Sequence, residues 1–366
     1  MKGYIGSRRA ANLFSNLDGS IDAVLIVNAR MPFLDLNFRH LTDIRGGLFE
    51  SSYAIATPKD VTIITSVLEE GIARRSGCKV VVANTAKQME EGLKKLMRGK
   101  KVVGLNMNGV SYATVKYLRK QLKGFKLKDV SKQLNKARTI KDEDEIERIG
   151  MACKIASRVA EEIPDVLEID MTEKAAAAEI DYLLRQRGAD GLAFDTIAAF
   201  GPATALPHYQ PGERKLKRGS TALFDFGANY KNYNSDITRT YFTKPIDRQL
   251  ERIYGIVAEA QMTAVKSMRP GVKAKKIDLA ARNVIEKAGY GKQFIHSTGH
   301  GLGISEHDPG ILAERSKDTL RENMVLTVEP GIYLPGKGGV RIEDDILITC
   351  INGKFLTTAN RNLTSI

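Results

Sequence analysis

The chain has 366 residues, 43% of them hydrophobic and 27% charged, with 56 Lys and Arg against 43 Asp and Glu for a formal charge of +13. That length supports two domains, each large enough to bury its own core, and the composition excludes a disordered or fibrous chain. No apolar run approaches the roughly 18 residues of a spanning helix, and no apolar stretch follows Arg8 and Arg9 as a secretory signal requires, so a cytoplasmic protein with no membrane partner is expected.

The first third reads as α/β. Apolar strands over 23–27, 61–65, 80–83 and 102–105 alternate with helical stretches over 87–97 and 112–123. The whole charge excess lies in one segment, 94–138, which holds fourteen Lys and Arg against Asp129 alone. The helix around Tyr117, Leu118 and Leu122 is amphipathic, so the segment reads as a solvated basic face, and with no recognition motif beside it nucleic acid is not an expected partner. A boundary between Leu134 and Thr139 then separates domains over 1–136 and 137–366. Beyond it, the acids from Asp142 to Glu147 complement the dipole at the start of a helix that stops near Pro164. Helices over 173–187, 247–268 and 274–288 are interleaved with strands over 193–200, 221–226, 236–242, 325–328 and 340–349. Helices mixed with hairpin-linked strands make this domain α+β.

Three cysteines, Cys78, Cys153 and Cys350, are far apart and form no C-x-x-C pair, which supports neither a disulfide framework nor a thiolate zinc site. Of five histidines, His296, His300 and His307 fall within twelve residues, with His208 upstream and only His40 in the first half. Asp225 interrupts an apolar strand in Thr221-Ala-Leu-Phe-Asp225-Phe-Gly227. Asp236 opens another, in which Thr238 and Thr240 share its face while Ile237, Arg239 and Tyr241 take the opposite one. Glu329 ends the run from Val325, and Glu343 sits inside the run from Val340. Acids in four apolar strands are costly to bury unless they share a partner, and a metal cation is the simplest one. Gly299 and Gly301 let the backbone around His300 approach something closely. One imidazole and four carboxylates are an oxygen-rich set that suits Mn, Co, Fe or Zn and suffices for two divalent ions.

In these motifs (Asp225-Phe-Gly, Ser235-Asp-Ile-Thr-Arg-Thr240, Thr298-Gly-His-Gly-Leu-Gly303, Val328-Glu-Pro-Gly-Ile-Tyr333 and Gly339-Val-Arg-Ile-Glu-Asp344) the chain resembles the pita-bread metallopeptidases. Nearly the whole length takes part: the first domain resembles the smaller creatinase-type N-terminal α/β domain of the proline-specific members. The short gap from Glu329 to Glu343 resembles prolidase more than aminopeptidase P. The resemblance implies a pita-bread catalytic domain holding two divalent metal ions. Asp225 would chelate one, Asp236 and Glu343 would bridge both, and His300 and Glu329 would complete the other, with Glu329 also accepting a proton from water. His208 and His307 would contact substrate and steady the reacting carbonyl, His296 would line a proline pocket, and Arg341, Tyr333 and Thr238 would orient the carboxylates. The implied activity is cleavage before proline in X-Pro dipeptides or short peptides, with aminopeptidase P action on longer X-Pro-X peptides as the alternative. A homodimer is implied, with His40 a candidate contact. A non-catalytic binding protein, a metal-free creatinase-like enzyme and methionine aminopeptidase are the rivals. The intact ligand set speaks against the first two, the N-terminal domain against the third. One departure stands out: many prolidases read His-Glu-x-Pro-Arg after the second histidine, where this chain has His307-Asp-Pro-Gly-Ile311. The basic residue that often receives a proline carboxylate is absent there, and Arg315 is a candidate replacement.

Overall fold

The computed structural model describes residues 4–366, and the chain divides into two compact units at Arg138 and Thr139. The first unit is built on a six-stranded mixed sheet in the order Lys79–Val82, Val61–Thr65, Ser52–Ala56, Ala23–Asn28, Val102–Leu105, Lys126–Asp129. Its central strand Ala23–Asn28 is apolar without alternation because both faces are covered: Ala23, Leu25 and Val27 join one core, Val24 and Ile26 the other. Eleven of the fourteen basic side chains of 94–138 are exposed, Lys100 and Lys128 are half-buried and only Arg138 is buried. His40 is buried within its helix Leu36–Thr42, which corrects its reading as a contact offered to a partner.

In the second unit two helix pairs cover two sheets. Helices Glu143–Val166 and Glu173–Gln186 pack on the four-stranded sheet Thr364–Ser365, Ile237–Phe242, Thr221–Phe226, Ile197–Phe200. Helices Arg248–Ser267 and Ala274–Lys287 pack on the five-stranded sheet Asp308–Leu312, Gly299–Gly301, Val325–Val328, Asp344–Ile348, Gly353–Phe355. Strand alternation divides the work. Ala222, Phe224 and Phe226 lie against helices, as do Leu326 and Val328, so Asp225 and Thr327 fall on the opposite faces. The first helix begins with a capping box, Asp142 Oδ1 accepting from Glu145 N–H and Glu145 Oε2 from Asp142 N–H. It runs to Val166, past the stop expected at Pro164. Pro164 removes the donor that Ala160 C=O would use, and the Tyr241 hydroxyl supplies it instead at 2.6 Å.

Two expected strands are also corrected. The run over 193–200 is a strand only at Ile197–Phe200. The run over 340–349 is two strands, Gly338–Arg341 in a hairpin with Gly331–Leu334 and Asp344–Ile348 in the five-stranded sheet. The break leaves the Glu343 N–H bonded to Thr238 C=O, across to the other sheet, at 3.1 Å. Glu343 thus sits where the two sheets meet.

Candidate active site

Register aligns the acids first. Thr221–Phe226 and Ile237–Phe242 are antiparallel with Asp225 opposite Thr238, and Val328 lies opposite Asp344, which brings Glu329 and Glu343 to the same end of their sheet. His300 arrives on the short strand Gly299–Gly301, where a Cβ on Gly299 would collide with Thr327 C=O and one on Gly301 with Pro309 C=O. Glycine is required on both sides because two neighbouring backbones press against this strand.

The five converge. His300 Nε2 is 3.7 Å from Asp236 Oδ2 and 3.5 Å from Glu329 Oε1, and ligand atoms of Asp236, His300 and Glu343 all lie within 4.8 Å of one another. His300 Nδ1 faces Gly301 C=O at 3.1 Å, so it carries the proton and Nε2 keeps its lone pair toward the acids. Arg341 ties the group together, donating from Nη2 to Asp225 Oδ2 at 2.5 Å, from Nε to Thr238 Oγ1 at 2.9 Å and from Nη1 to Tyr333 OH at 3.1 Å. The Thr238 hydroxyl in turn donates a hydrogen bond to Glu343 Oε2 at 2.6 Å. Tyr333, whose oxygen accepts from Arg341, donates to His296 Nε2 at 2.8 Å, while His296 Nδ1 donates to Ser297 C=O. Both His296 nitrogens are thereby occupied in a neutral ring, and burial, helped by the Arg341 charge, pulls its pKa down to about 4.

The cluster resists its own ionisation. Burial, then the charges of neighbouring acids, pushes Asp236 and Glu343 well above the usual carboxylate range. Burial raises Glu329 to about 7 against the pull of Arg341. Buried Oδ1 atoms of Asp225 and of Asp236 have no hydrogen-bond partner. Buried carboxylates that repel one another and carry orphaned lone pairs beside an unprotonated imidazole nitrogen fit divalent cations, the partners that would offset both costs.

A cavity of about 580 Å³ opens onto this cluster. Its wall includes all five of these residues and Arg341, together with His208, His296 and His307. His208 and His307 are exposed, and the rings of His300 and His307 meet edge to face with centroids 4.3 Å apart. Tyr333 and Thr238 stand behind the wall, reached through Arg341. Arg315 lies in a neighbouring cavity of about 570 Å³ with Lys275 and Arg282, and the two cavities share His296 and Ser297.

Several further residues support the cluster without having been assigned a site role from the sequence. Asp345, fully buried, accepts the Asp236 N–H at 2.9 Å and lies 3.2 Å from the Cys153 thiol. On the sheet face away from the cluster, Arg239 donates to Thr238 C=O and Glu343 C=O and to Asp344, which also accepts from Gln261, Thr357 and Arg361. Lys141 and Asp308 form a buried ion pair at 3.1 Å, fixing the residue after His307. The acid run Glu343-Asp344-Asp345 in an apolar strand is a visible signal for the first two. Lys141 carries no such signal.

The sequence profile of Metallopeptidase family M24 matches residues 147–350, more than half the chain, and that of the Creatinase/Prolidase N-terminal domain matches 15–140. The Xaa-Pro dipeptidase of Pyrococcus horikoshii is 38% identical over 345 residues, covering 94% of this chain and 95% of that one. Among solved structures, an Xaa-Pro dipeptidase from Bacillus anthracis superimposes with a TM-score of 0.91 at 31% identity, covering 99% of this chain and 100% of that one. The X-Pro aminopeptidase from Thermotoga maritima superimposes at 0.89 and 33%, covering 94% and 98%.

Proposed function

Because the chain belongs to Metallopeptidase family M24, with a creatinase-type N-terminal domain before a pita-bread catalytic domain, we propose that it hydrolyses the bond before proline in Xaa-Pro dipeptides. The observation that carries this reading is the convergence of Asp225, Asp236, His300, Glu329 and Glu343 on one wall of a cavity that three further histidines also line. Those five residues would hold two divalent ions, drawn from manganese, cobalt, iron and zinc, which supply Lewis acidity and a readily deprotonated water.

The chain's own groups do the rest. Glu329, whose carboxylate faces the cavity beside His300, accepts the proton of the attacking water and returns it to the proline nitrogen as the bond breaks. His307 and His208 present N–H donors toward the carbonyl oxygen as it gains charge. Partial desolvation at the cavity wall, then the neighbouring His300, lowers the His307 pKa, which favours the neutral ring. His296, with both nitrogens engaged, offers substrate only its ring, which suits packing against a pyrrolidine better than hydrogen bonding. Arg341 and Thr238 hold Asp225 and Glu343 in place.

A second reading, aminopeptidase P action on longer peptides, is favoured by Gly310 and Ile311, which line the cavity in place of the expected basic residue. Arg315 in the adjoining cavity supports the dipeptide reading, because it could receive a free proline carboxylate. The deciding experiment compares Leu-Pro with Leu-Pro-Gly in manganese or cobalt. Cleavage of the dipeptide supports the proposal, cleavage of the tripeptide alone moves the assignment to the second reading, and cleavage of neither overturns both. A homodimer is proposed with it, supported by Met31, Leu48 and Leu68 exposed on the N-terminal unit and checked by light scattering. A cytoplasmic setting is supported by three free thiols. No helix among the described residues is long and apolar enough to cross a membrane.

A further inference from the structure

We propose that Glu306 makes this a site for peptides whose first residue is cationic, Lys-Pro and Arg-Pro above others, an inference that rests on the hydrolysis proposed above. Six acids line the active-site cavity. Asp225, Asp236, Glu329 and Glu343 belong to the cation cluster, and Asp308 is paired with Lys141. The sixth is Glu306. It is half-buried, sits beside His307, and receives one long hydrogen bond, 3.4 Å from Ser305 Oγ. Among the described residues the one Lys or Arg on the cavity wall, Arg341, is committed to Asp225, Thr238 and Tyr333. Its chain neighbour His307 meets the His300 ring edge to face with centroids 4.3 Å apart, and Glu306 lines the same cavity, which places residue 306 next to the reacting centre.

The substrate's geometry says what reaches it. In the reaction proposed above His307 faces the scissile carbonyl, and the α-carbon of the first residue is bonded to that carbonyl, so its side chain starts next to the 306–307 segment. Phe194 and Ile197 also line this cavity and give an aliphatic stem an apolar surface to lie along while its charged end reaches a carboxylate. A half-buried carboxylate lacking a basic partner is stabilised by an incoming cation and repels an incoming acid, which discriminates in both directions. The α-ammonium is common to all first residues and creates no preference, so the side chain is the group this carboxylate can select.

The test takes ratios within each enzyme form, so that any effect of residue 306 on His307, which acts on all substrates alike, cancels. kcat/KM is measured for Lys-Pro, Leu-Pro and Glu-Pro with the metal-loaded wild type, E306Q and E306K at low ionic strength. The wild type should favour Lys-Pro over Leu-Pro by about fivefold, the scale of a partly solvated charge pair, and the preference should shrink with salt. E306Q should bring the ratio to about one, and E306K should invert it in favour of Glu-Pro. Wild-type ratios that survive E306Q and E306K overturn this inference and leave the hydrolytic reading standing. A wild type that cleaves none of the three overturns the reading beneath it and the inference together.

Discussion

Asp236→Asn should abolish hydrolysis and, in the metal-free protein, raise stability. Asp236 is buried, and its pKa is held well above the usual range by burial and then by Glu343, Asp225, Asp345 and Glu329. Its ligand atom lies within 4.8 Å of that of Glu343. Two unit charges at that spacing repel by about 3 kcal/mol at an effective dielectric constant of 20. Asparagine keeps the shape and removes the charge, so a gain of about 2 to 3 kcal/mol is expected at pH 8, or roughly 5 to 10 °C in the unfolding temperature of a unit this size. The sign follows from linkage. A carboxyl whose folded pKa is raised costs nothing while protonated in both states, loses stability as pH climbs through the unfolded value near about 4, and levels off above the folded value. The variant's advantage should therefore be near zero at pH 4 and grow as pH rises toward 8. Differential scanning calorimetry in EDTA, then in saturating manganese, separates the effects. With metal the order reverses, because the wild type gains binding free energy that the variant forgoes. A metal-free D236N that melts at or below wild type at pH 8 would refute the electrostatic account of the cluster.

Arg341→Gln removes the charged bridge among Asp225, Thr238 and Tyr333 and should lower kcat/KM by roughly 10- to 100-fold, with weaker metal retention on a chelating titration. Asp344→Asn strips the countercharge from buried Arg239 and from Arg361, a change of the kind that costs about 3 to 5 kcal/mol and would lower the melting temperature by roughly 10 °C, read by circular dichroism. Of the three thiols only Cys350 is exposed, and burial raises the pKa of both Cys78 and Cys153, so a thiol reagent should modify one group in the native protein and three in denaturant.

The metal-cluster candidates are legible in sequence because each violates a local rule: a carboxylate in an apolar strand, or glycine on both sides of a histidine. Period also reveals the faces, since Thr238 and Thr240 turn toward the cluster while Arg239 and Tyr241 turn away. What escapes is anything set by tertiary approach. The strand Lys126–Asp129 reads as polar because it is a charged sheet edge, and Ser52–Ala56 is too short and mixed to show a period. The division of 340–349 into two strands depends on Glu343 reaching Thr238 across the sheets, which no local pattern encodes. Lys141 looks like a helix-flanking cation, and only the fold carries it to Asp308. Pro164 reads as a stop, yet a tyrosine 77 positions later lets the helix continue past it.

The proposed chemistry requires that the Asp225, Asp236, His300, Glu329 and Glu343 cluster hold the metal on which hydrolysis depends. The most direct test is Leu-Pro hydrolysis by protein stripped with a chelator and then titrated with manganese or cobalt. Turnover should be lost after stripping, return as metal is restored, and not return in D236N. Undiminished turnover in the stripped wild type would contradict that requirement.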